Sequence, residues 1–596
     1  MRLEARLKRD WRFWQGLSRT LKRVKSIARD SSNLICDDLE AAVETWRTRP
    51  AMTFEGRTVS YGELDAIANR YAHWAKGHNL RRGQVVALFM PNRLEYFAIW
   101  YGLSKVGVVT ALINNQLSGQ QLAHCLNISG ATHAIVDPDT SPVFEQARPL
   151  LDRPMQQWVL GPAQGDQRDL IQSLKSCSQL PPDRGVRDDL TAGDPVLLLY
   201  TSGTTGLPKA ARISHMRAQL YMRGFAGATG ATKSDRIYVA LPLYHATGGL
   251  CAIGAALLSG GSVVLRRKFS GSHFWREIVA EGCTMFVYIG ELCRYLVNQP
   301  PDEDETRHKV RLAFGNGLRP DVWPELKSRF RLPEILEFYG STEGNVSLFN
   351  FDGREGSIGR VPKWARRNTN VRLVQYDVEA EDVMRGPSGL CIEAGPGQVG
   401  ECLGQINHAN VRADFTGYLD KAASEKKVLH DVFERGDAWF ATGDLMKVDA
   451  DGYFYFVDRI GDTFRWKGEN VSTTEVAERL TAFPGVAEAT VYGVRVDGAD
   501  GRAGMAAIVP EGAFDAKAFG EHVAAELPTY AQPLFVRLLP AFDATGTFKV
   551  RKMDLVADGY DITRIKGAMF FHDPRRGYVK LTKSVFERLA AGLIKI

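Results

Sequence analysis

A run of hydroxyl and glycine residues closed by a lysine, Tyr200-Thr-Ser-Gly-Thr-Thr-Gly-Leu-Pro-Lys209, follows the apolar stretch 196–199. Gly203 and Gly206 free backbone N–H groups to turn toward an anion. Thr201, Ser202, Thr204 and Thr205 add hydroxyls, and Lys209 adds a positive charge. Together these groups can hold the phosphates of a nucleotide. Lys209 is followed by Ala210, so the Gly-Lys-Ser/Thr ending of a Walker A loop, with its hydroxyl for magnesium, is missing. The plainer reading of the same run is a flexible surface loop.

Four further clusters carry groups suited to phosphorylated ligands. In Phe338-Tyr-Gly-Ser-Thr-Glu343-Gly, the Tyr339 ring can stack on a purine and Thr342 can bond a phosphate oxygen. The Glu343 carboxylate suits Mg2+, a hard cation. A glycine-bounded turn would look similar. Just upstream, Gly315-Asn-Gly317 lets the backbone approach a flat base closely. Ala441-Thr-Gly-Asp444 offers a rigid carboxylate of the kind that chelates ribose hydroxyls in dinucleotide sites of another fold. Arg459 could cover the same sugar, although Asp444 alone is simply a turn residue. Phe464-Arg-Trp-Lys-Gly-Glu-Asn470 sets an aromatic and two cations beside Gly468. That composition fits a narrow path for a phosphorylated thiol cofactor, and equally a solvated hairpin.

The elements that must position these groups read as α/β. Apolar strands at 85–90, 132–136, 195–200, 236–240, 262–265, 284–288, 310–314 and 334–338 alternate with helical stretches such as 94–106. Strands separated by helical lengths predict doubly wound parallel sheets. Four strands run into polar or glycine-rich loops (TSGTTG, LYHATGG, GNG and YGSTEG), and ligands of such sheets collect beyond the carboxyl ends of strands. Past residue 370 the pattern turns to hairpins, a β-rich subdomain. A small α+β unit restarts after strand 453–457, with helices near 474–482 and 516–527. The expected division is a basic amphipathic helix over 1–35, a nucleotide-binding domain over 36–459, and a mobile C-terminal domain over 460–596.

At 596 residues the chain is long enough for about three or four folding units. Its 44% hydrophobic and 24% charged content is that of an ordinary globular protein, and no apolar run is long enough to span a bilayer. Eight scattered cysteines without a CxxC pair read as reduced thiols of a cytoplasmic protein. Twelve histidines show no zinc-ligand spacing. The net charge of +6 is concentrated: residues 1–29 hold ten Lys/Arg against Glu4 and Asp10, which leaves the remainder at −2. A broad nucleic-acid surface is therefore not expected. Leu3, Leu7, Trp11, Trp14, Leu17, Leu21, Val24 and Ile27 recur at helical steps. Such a basic helix can lie in an anionic interface, placing the protein on the inner face of the cell membrane, or pack on its own body.

From about residue 40 onward these motifs resemble the acyl-CoA synthetase superfamily of adenylate-forming enzymes, whose phosphate loop YTSGTTGLPK (200–209) looks like. LPLYHATGG (241–249), FVYIGELCRYL (286–296), EFYGSTEGN (337–345) and DRIGDTFRWKGENVSTTEVAE (458–478) are similar to the very-long-chain branch, also called the fatty acid transport proteins. The resemblance implies that loop 201–209 holds the ATP phosphates, Tyr339 faces adenine beside Gly315, and Thr342 touches the α-phosphate. It implies that Glu343 organises Mg2+, Asp444 and Arg459 bind ribose, and Gly468 lines the coenzyme A channel. His245, otherwise a core histidine, matches a residue that stands near the carboxylate pocket.

One position departs from the superfamily pattern. Where a Ser/Thr-Gly-Lys ending supplies the adenylation lysine, this chain reads Thr545-Gly-Thr-Phe-Lys549-Val-Arg-Lys552. Thr547 stands where an ungapped lysine would fall, which makes Lys549 the nearest candidate and Lys552 its competitor. The function implied is ATP-dependent ligation of a long- or very-long-chain fatty acid to coenzyme A through an acyl-adenylate, with the C-terminal domain turning near Gly461 between half-reactions. A ligase for bile-acid or steroid side chains, a ligase that loads a carrier protein, and a membrane-associated uptake factor with little catalysis are the alternatives. The Lys209, Glu343 and Asp444 set speaks against the last. Phe274, Trp275 and Phe286 are candidates for the acyl tunnel and equally for plain core.

Overall fold

The computed structural model describes residues 3–201, 207–467, 469–496, 501–542, 550, 552–565, 567–573, 575–591 and 593–594. The chain divides into two compact units, Met1–Arg360 with Gln405–Val428, and Val361–Gly404 with Leu429–Ile596.

The first unit holds two large sheets of the doubly wound kind expected. One has the order Arg168–Asp169, Gln156–Val159, His133–Val136, Val85–Phe89, Val109–Leu112, Pro195–Thr201, Lys209–Ser214. It is parallel except for its last pair, in which Thr201 stands opposite Lys209. The other has the order Ser347–Phe349, Ile335–Gly340, Leu312–Asn316, Met285–Ile289, Arg236–Val239, Ser262–Leu265, Pro50–Phe54, Arg57–Ser60. Its interior pairs are parallel and its two outermost pairs antiparallel. Interior segments such as Val-Val-Ala-Leu-Phe are apolar at nearly every position because helices cover both faces. Helix Tyr61–Gly77 begins at a capping box between Ser60 and Glu63, and Gly102 of helix Leu94–Ser104 rests against it. A Cβ there would lie 2.1 Å from the Ala68 carbonyl oxygen, so only glycine permits the crossing.

Helix Leu3–Val24 belongs to this unit, and its C-terminal part packs on the body. Phe13, Thr20, Val24 and, just beyond, Ile27 are buried. Gly227 of helix His215–Ala228 makes room for it, since a Cβ at 227 would meet the Thr20 Cα at 2.7 Å. Leu7, Trp11 and Trp14 of the same apolar stripe are 63, 56 and 49% exposed, with the two indoles stacked at 5.3 Å. The stripe is thus buried toward its C-terminal part and exposed at Leu7, Trp11 and Trp14. No described helix is long and apolar enough to cross a membrane.

In the second unit, Ala438–Val448 pairs antiparallel with Tyr453–Arg459, and Val371–Val374 with residues 401–404. A five-stranded sheet of Val486–Val494, Ala503–Pro510, Phe535–Leu538, Met569–Asp573 and Gly577–Lys580 follows, with helices Thr473–Thr481 and Ala516–Glu526 close to the expected spans. Val371–Val374 and Val399–Gln405 lie in one sheet with Ala438–Val448, while Tyr376–Asp377 and Asp382–Val383 pair apart from it. The expected boundary near 460 falls within this unit.

Candidate nucleotide site

Lys209 is placed by the strand that carries the phosphate-type loop out of the sheet. The buried run 196–199 ends at Thr201, and the chain returns antiparallel from Lys209, leaving the lysine half-buried at the mouth of the hairpin. Ser202, Gly203, Thr204, Thr205 and Gly206 lie outside the described residues. Ser214 caps the following helix by accepting from the Arg217 N–H, and Arg217 and Tyr221 recur on that helix at an i, i+4 spacing.

That helix supports the second motif. The Tyr221 hydroxyl lies 3.1 Å from the carbonyl oxygens of both Ser341 and Thr342, and Arg217 donates to the Ser341 oxygen at 3.5 Å. Burial raises the Tyr221 phenol above its ordinary range, which keeps it a donor. Tyr339 closes strand Ile335–Gly340, half-buried, and Thr342 and Glu343 follow in the supported turn. Glu343 Oε1 accepts from the Tyr418 hydroxyl at 2.6 Å, and Lys209 Nζ lies 5.7 Å from the centroid of the Tyr418 ring. One aromatic side chain therefore joins the cation of the first motif to the anion of the second.

The glycine loop is built by close backbone contact. A Cβ at Gly315 would sit 2.2 Å from the Tyr288 carbonyl oxygen, and one at Gly290 only 1.6 Å from that of Gly317. Beneath it lies Glu337, wholly buried, which accepts from the Tyr288 hydroxyl at 2.5 Å and from the Leu318 N–H at 3.1 Å. Burial pushes its carboxyl up to about 8 despite these donors. His245 is half-buried on the segment before Thr247, whose hydroxyl donates to Asn316 at 3.4 Å. The LYHATGG and GNG loops therefore meet. Phe274, Trp275 and Phe286 are buried and packed edge-on against one another, as core aromatics are.

In the second unit, Asp444 and Arg459 are opposed across one hairpin, Arg459 Nε 3.8 Å from Asp444 Oδ1. The Thr442 hydroxyl accepts from the Asp444 N–H and donates to the Cys402 carbonyl, and Gly443 adopts φ 78° within strand Ala438–Val448, so the backbone here is fixed whatever side chain stands at 444. Lys552 Nζ contacts Asp462 and the Thr473 hydroxyl, both at 3.1 Å. Asp458 beside them is buried, which raises its carboxyl, with Lys552 opposing the shift. Gly468 and Lys549 lie outside the described residues.

Four supporting residues went unread in the sequence: Arg217, Tyr221, Glu337 and Tyr418. A charge within the strand Ile-Leu-Glu-Phe, and polar groups one turn apart on an apolar helix, were signals for the first three. Tyr418 had none.

The two-sheet architecture is that of the adenylate-forming enzymes. The ATP-bound MatB of Rhodopseudomonas palustris superposes with a TM-score of 0.74 over 89% of this chain and 99% of that one, at 23% identity. The AMP-binding enzyme family profile matches residues 39–401, and that of the AMP-binding enzyme C-terminal domain matches 475–549. Long-chain fatty acid transport protein 6 of Mus musculus is 40% identical over 91% of this chain and 88% of its own length. Long-chain fatty acid transport protein 2 of Rattus norvegicus is 36% identical over 99% and 96%. The chain belongs to the AMP-binding enzyme family, among the relatives of the long-chain fatty acid transport proteins.

Proposed function

We propose that this chain is an ATP-dependent ligase that joins a long- or very-long-chain fatty acid to coenzyme A through an acyl-adenylate, releasing AMP and pyrophosphate. The observation that carries the reading is the convergence of Lys209 and Glu343 on Tyr418, beside the hairpin in which Thr201 stands opposite Lys209. The fatty substrate is taken from the relatives' names. A carboxylate oxygen attacks the α-phosphorus and pyrophosphate departs. Lys209 and Thr342 stabilise charge that grows on the phosphate oxygens, a preorganised electrostatic contribution. Asp444 and Arg459 hold the ribose. The coenzyme A thiol then attacks the adenylate carbonyl, and AMP leaves with one oxygen of the original carboxylate.

Mg2+ fits this donor set as a companion of the nucleotide. Among the described residues no group of three or more His, Cys, Asp and Glu could hold a metal, whereas a cation shared with phosphates needs only one or two carboxylates. Glu343 supplies one. When bound, the ion neutralises phosphate charge.

The test is acid-dependent ATP–pyrophosphate exchange across fatty and bile acids without coenzyme A, then thioester formation with it. Exchange confined to bile acids would transfer the reading to a steroid-type ligase, and exchange with none would remove it.

Two finer points belong to the same proposal. Lys549 serves adenylation, since Lys552 is engaged by Asp462 and Thr473, and Gly461 is the pivot between half-reactions. Single-turnover kinetics should find Lys549→Ala slow in adenylate formation by about 10²–10³-fold, and Gly461→Pro slow only in thioester formation, because proline fixes φ. The exposed Leu7, Trp11 and Trp14, on a basic helix, dock at an anionic membrane surface, placing the enzyme on the cytoplasmic face. Replacing both indoles by alanine should weaken binding to vesicles containing phosphatidylserine and leave unfolding within about 0.5 kcal/mol of wild type per site. Unchanged vesicle binding would contradict the docking.

A further inference from the structure

Tyr418 lies outside every motif that the sequence singled out, yet its side chain meets two of the groups those motifs supply. Residues 416–419 run antiparallel beside strand Lys209–Ser214. Leu419 N–H donates to the Ala210 oxygen at 2.9 Å, Arg212 N–H to the Gly417 oxygen at 3.3 Å, and Ala211 pairs with Tyr418. The segment is thereby fixed to the strand that bears Lys209. From this edge the Tyr418 side chain, only 5% exposed as a residue, donates its hydroxyl to Glu343 Oε1 at 2.6 Å. Lys209 Nζ stands over its ring at 5.7 Å.

Lys209 and Glu343 are opposite charges in one neighbourhood, and direct pairing would spend each on the other. No ion pair joins them in the structure; each meets the phenol instead. The ring offers the ammonium a cation–π contact, weaker than an ion pair. The hydroxyl fixes one carboxylate oxygen and with it the plane of the carboxylate.

We propose that Tyr418 is a positioning residue for the metal–triphosphate part of the nucleotide: its hydroxyl orients Glu343 toward the divalent cation, and its ring keeps Lys209 available to phosphate. This rests on the nucleotide reading above. The hydroxyl can be removed without disturbing the backbone, because the Tyr418 N–H is held separately by the Ser424 hydroxyl at 2.8 Å.

The experiment is calorimetric ATP binding to the full chain as Mg2+ is titrated, for wild type, Tyr418→Phe, Glu343→Gln and the double variant. Losing a hydrogen bond to a charged group should raise the Mg2+ concentration for half-maximal ATP binding about tenfold in Tyr418→Phe. ATP affinity in chelator should not change. In the Glu343→Gln background the second substitution should add nothing, because the phenol acts through that carboxylate. Wild-type metal dependence in Tyr418→Phe, or equal shifts in both backgrounds, would overturn the proposal and leave Tyr418 a packing residue. No ATP binding by the wild type, with or without Mg2+, would overturn the nucleotide reading itself, a distinct failure.

Discussion

Lys209, Glu343 and Tyr418 of the first unit come from three distant segments, the last two 75 residues apart, whereas Asp444 and Arg459 of the second unit face each other across one hairpin. The hairpin pair is set by local pairing and by a stretch of strand backbone that Thr442 and Gly443 fix. The first cluster exists only once a strand, a helix and a returning edge segment have all been packed. Each group there has a specific tertiary support: Tyr221 under the Thr342 carbonyl, Tyr418 on Glu343, Glu337 beneath the glycine loop. A site made from distant segments is thus vulnerable at its supports, and a site made in a hairpin chiefly at its own side chains.

Substitutions can break that contrast, beginning with the largest expected effect. Glu343→Gln should lower ATP–pyrophosphate exchange by about 10²–10³-fold, the loss found when one preorganised group is removed. Its thermal unfolding should stay near wild type, since the side chain is only half-buried. A large drop in melting temperature would make Glu343 a structural residue. Asp444→Ala should weaken ATP binding by about 1.5–3 kcal/mol, the worth of hydrogen bonds to a charged group. Calorimetry should find this without loss of fold, because the Thr442 side chain holds the strand backbone there. Unchanged affinity would remove the ribose assignment.

The smallest effect concerns a support alone. Glu337 has its carboxyl raised from 4.5 to about 8 by burial, so between these values the folded state holds a proton that the unfolded state has released. Stability from this group is therefore complete below about pH 4.5 and falls as pH rises to about 8. Denaturant unfolding of Glu337→Gln at several pH values should lack that component of the wild-type decline. Identical pH profiles would show that Glu337 is ionised in the fold.

The same contrast explains what could be read from the sequence. Eight strands of the two large sheets were legible within about two residues, because helices on both faces demand continuous apolar runs such as 85–89 and 262–265, whereas strands such as Pro50–Phe54, Val109–Leu112 and Lys209–Ser214 were not. Thr201, Lys209, Glu343 and Asp444 stood out because their types and glycine spacing are chemically unusual. Tyr418 follows Phe415-Thr-Gly in an ordinary polar stretch, and nothing local reveals that its hydroxyl reaches a carboxylate 75 residues away. The N-terminal stripe was legible as a helix, but its division between Phe13, Val24 and Ile27 inside and Leu7, Trp11 and Trp14 outside depends on the helix it meets.

Acyl-adenylate formation can be followed by the fate of one oxygen. A long-chain fatty acid labelled with ¹⁸O in its carboxylate should be turned over with ATP and coenzyme A, and the nucleotide product examined by mass spectrometry. Attack of the carboxylate on the α-phosphorus, followed by thiolysis, requires AMP that carries one ¹⁸O atom, with pyrophosphate unlabelled. Unlabelled AMP, or ADP with the label in inorganic phosphate, would contradict adenylation at this site.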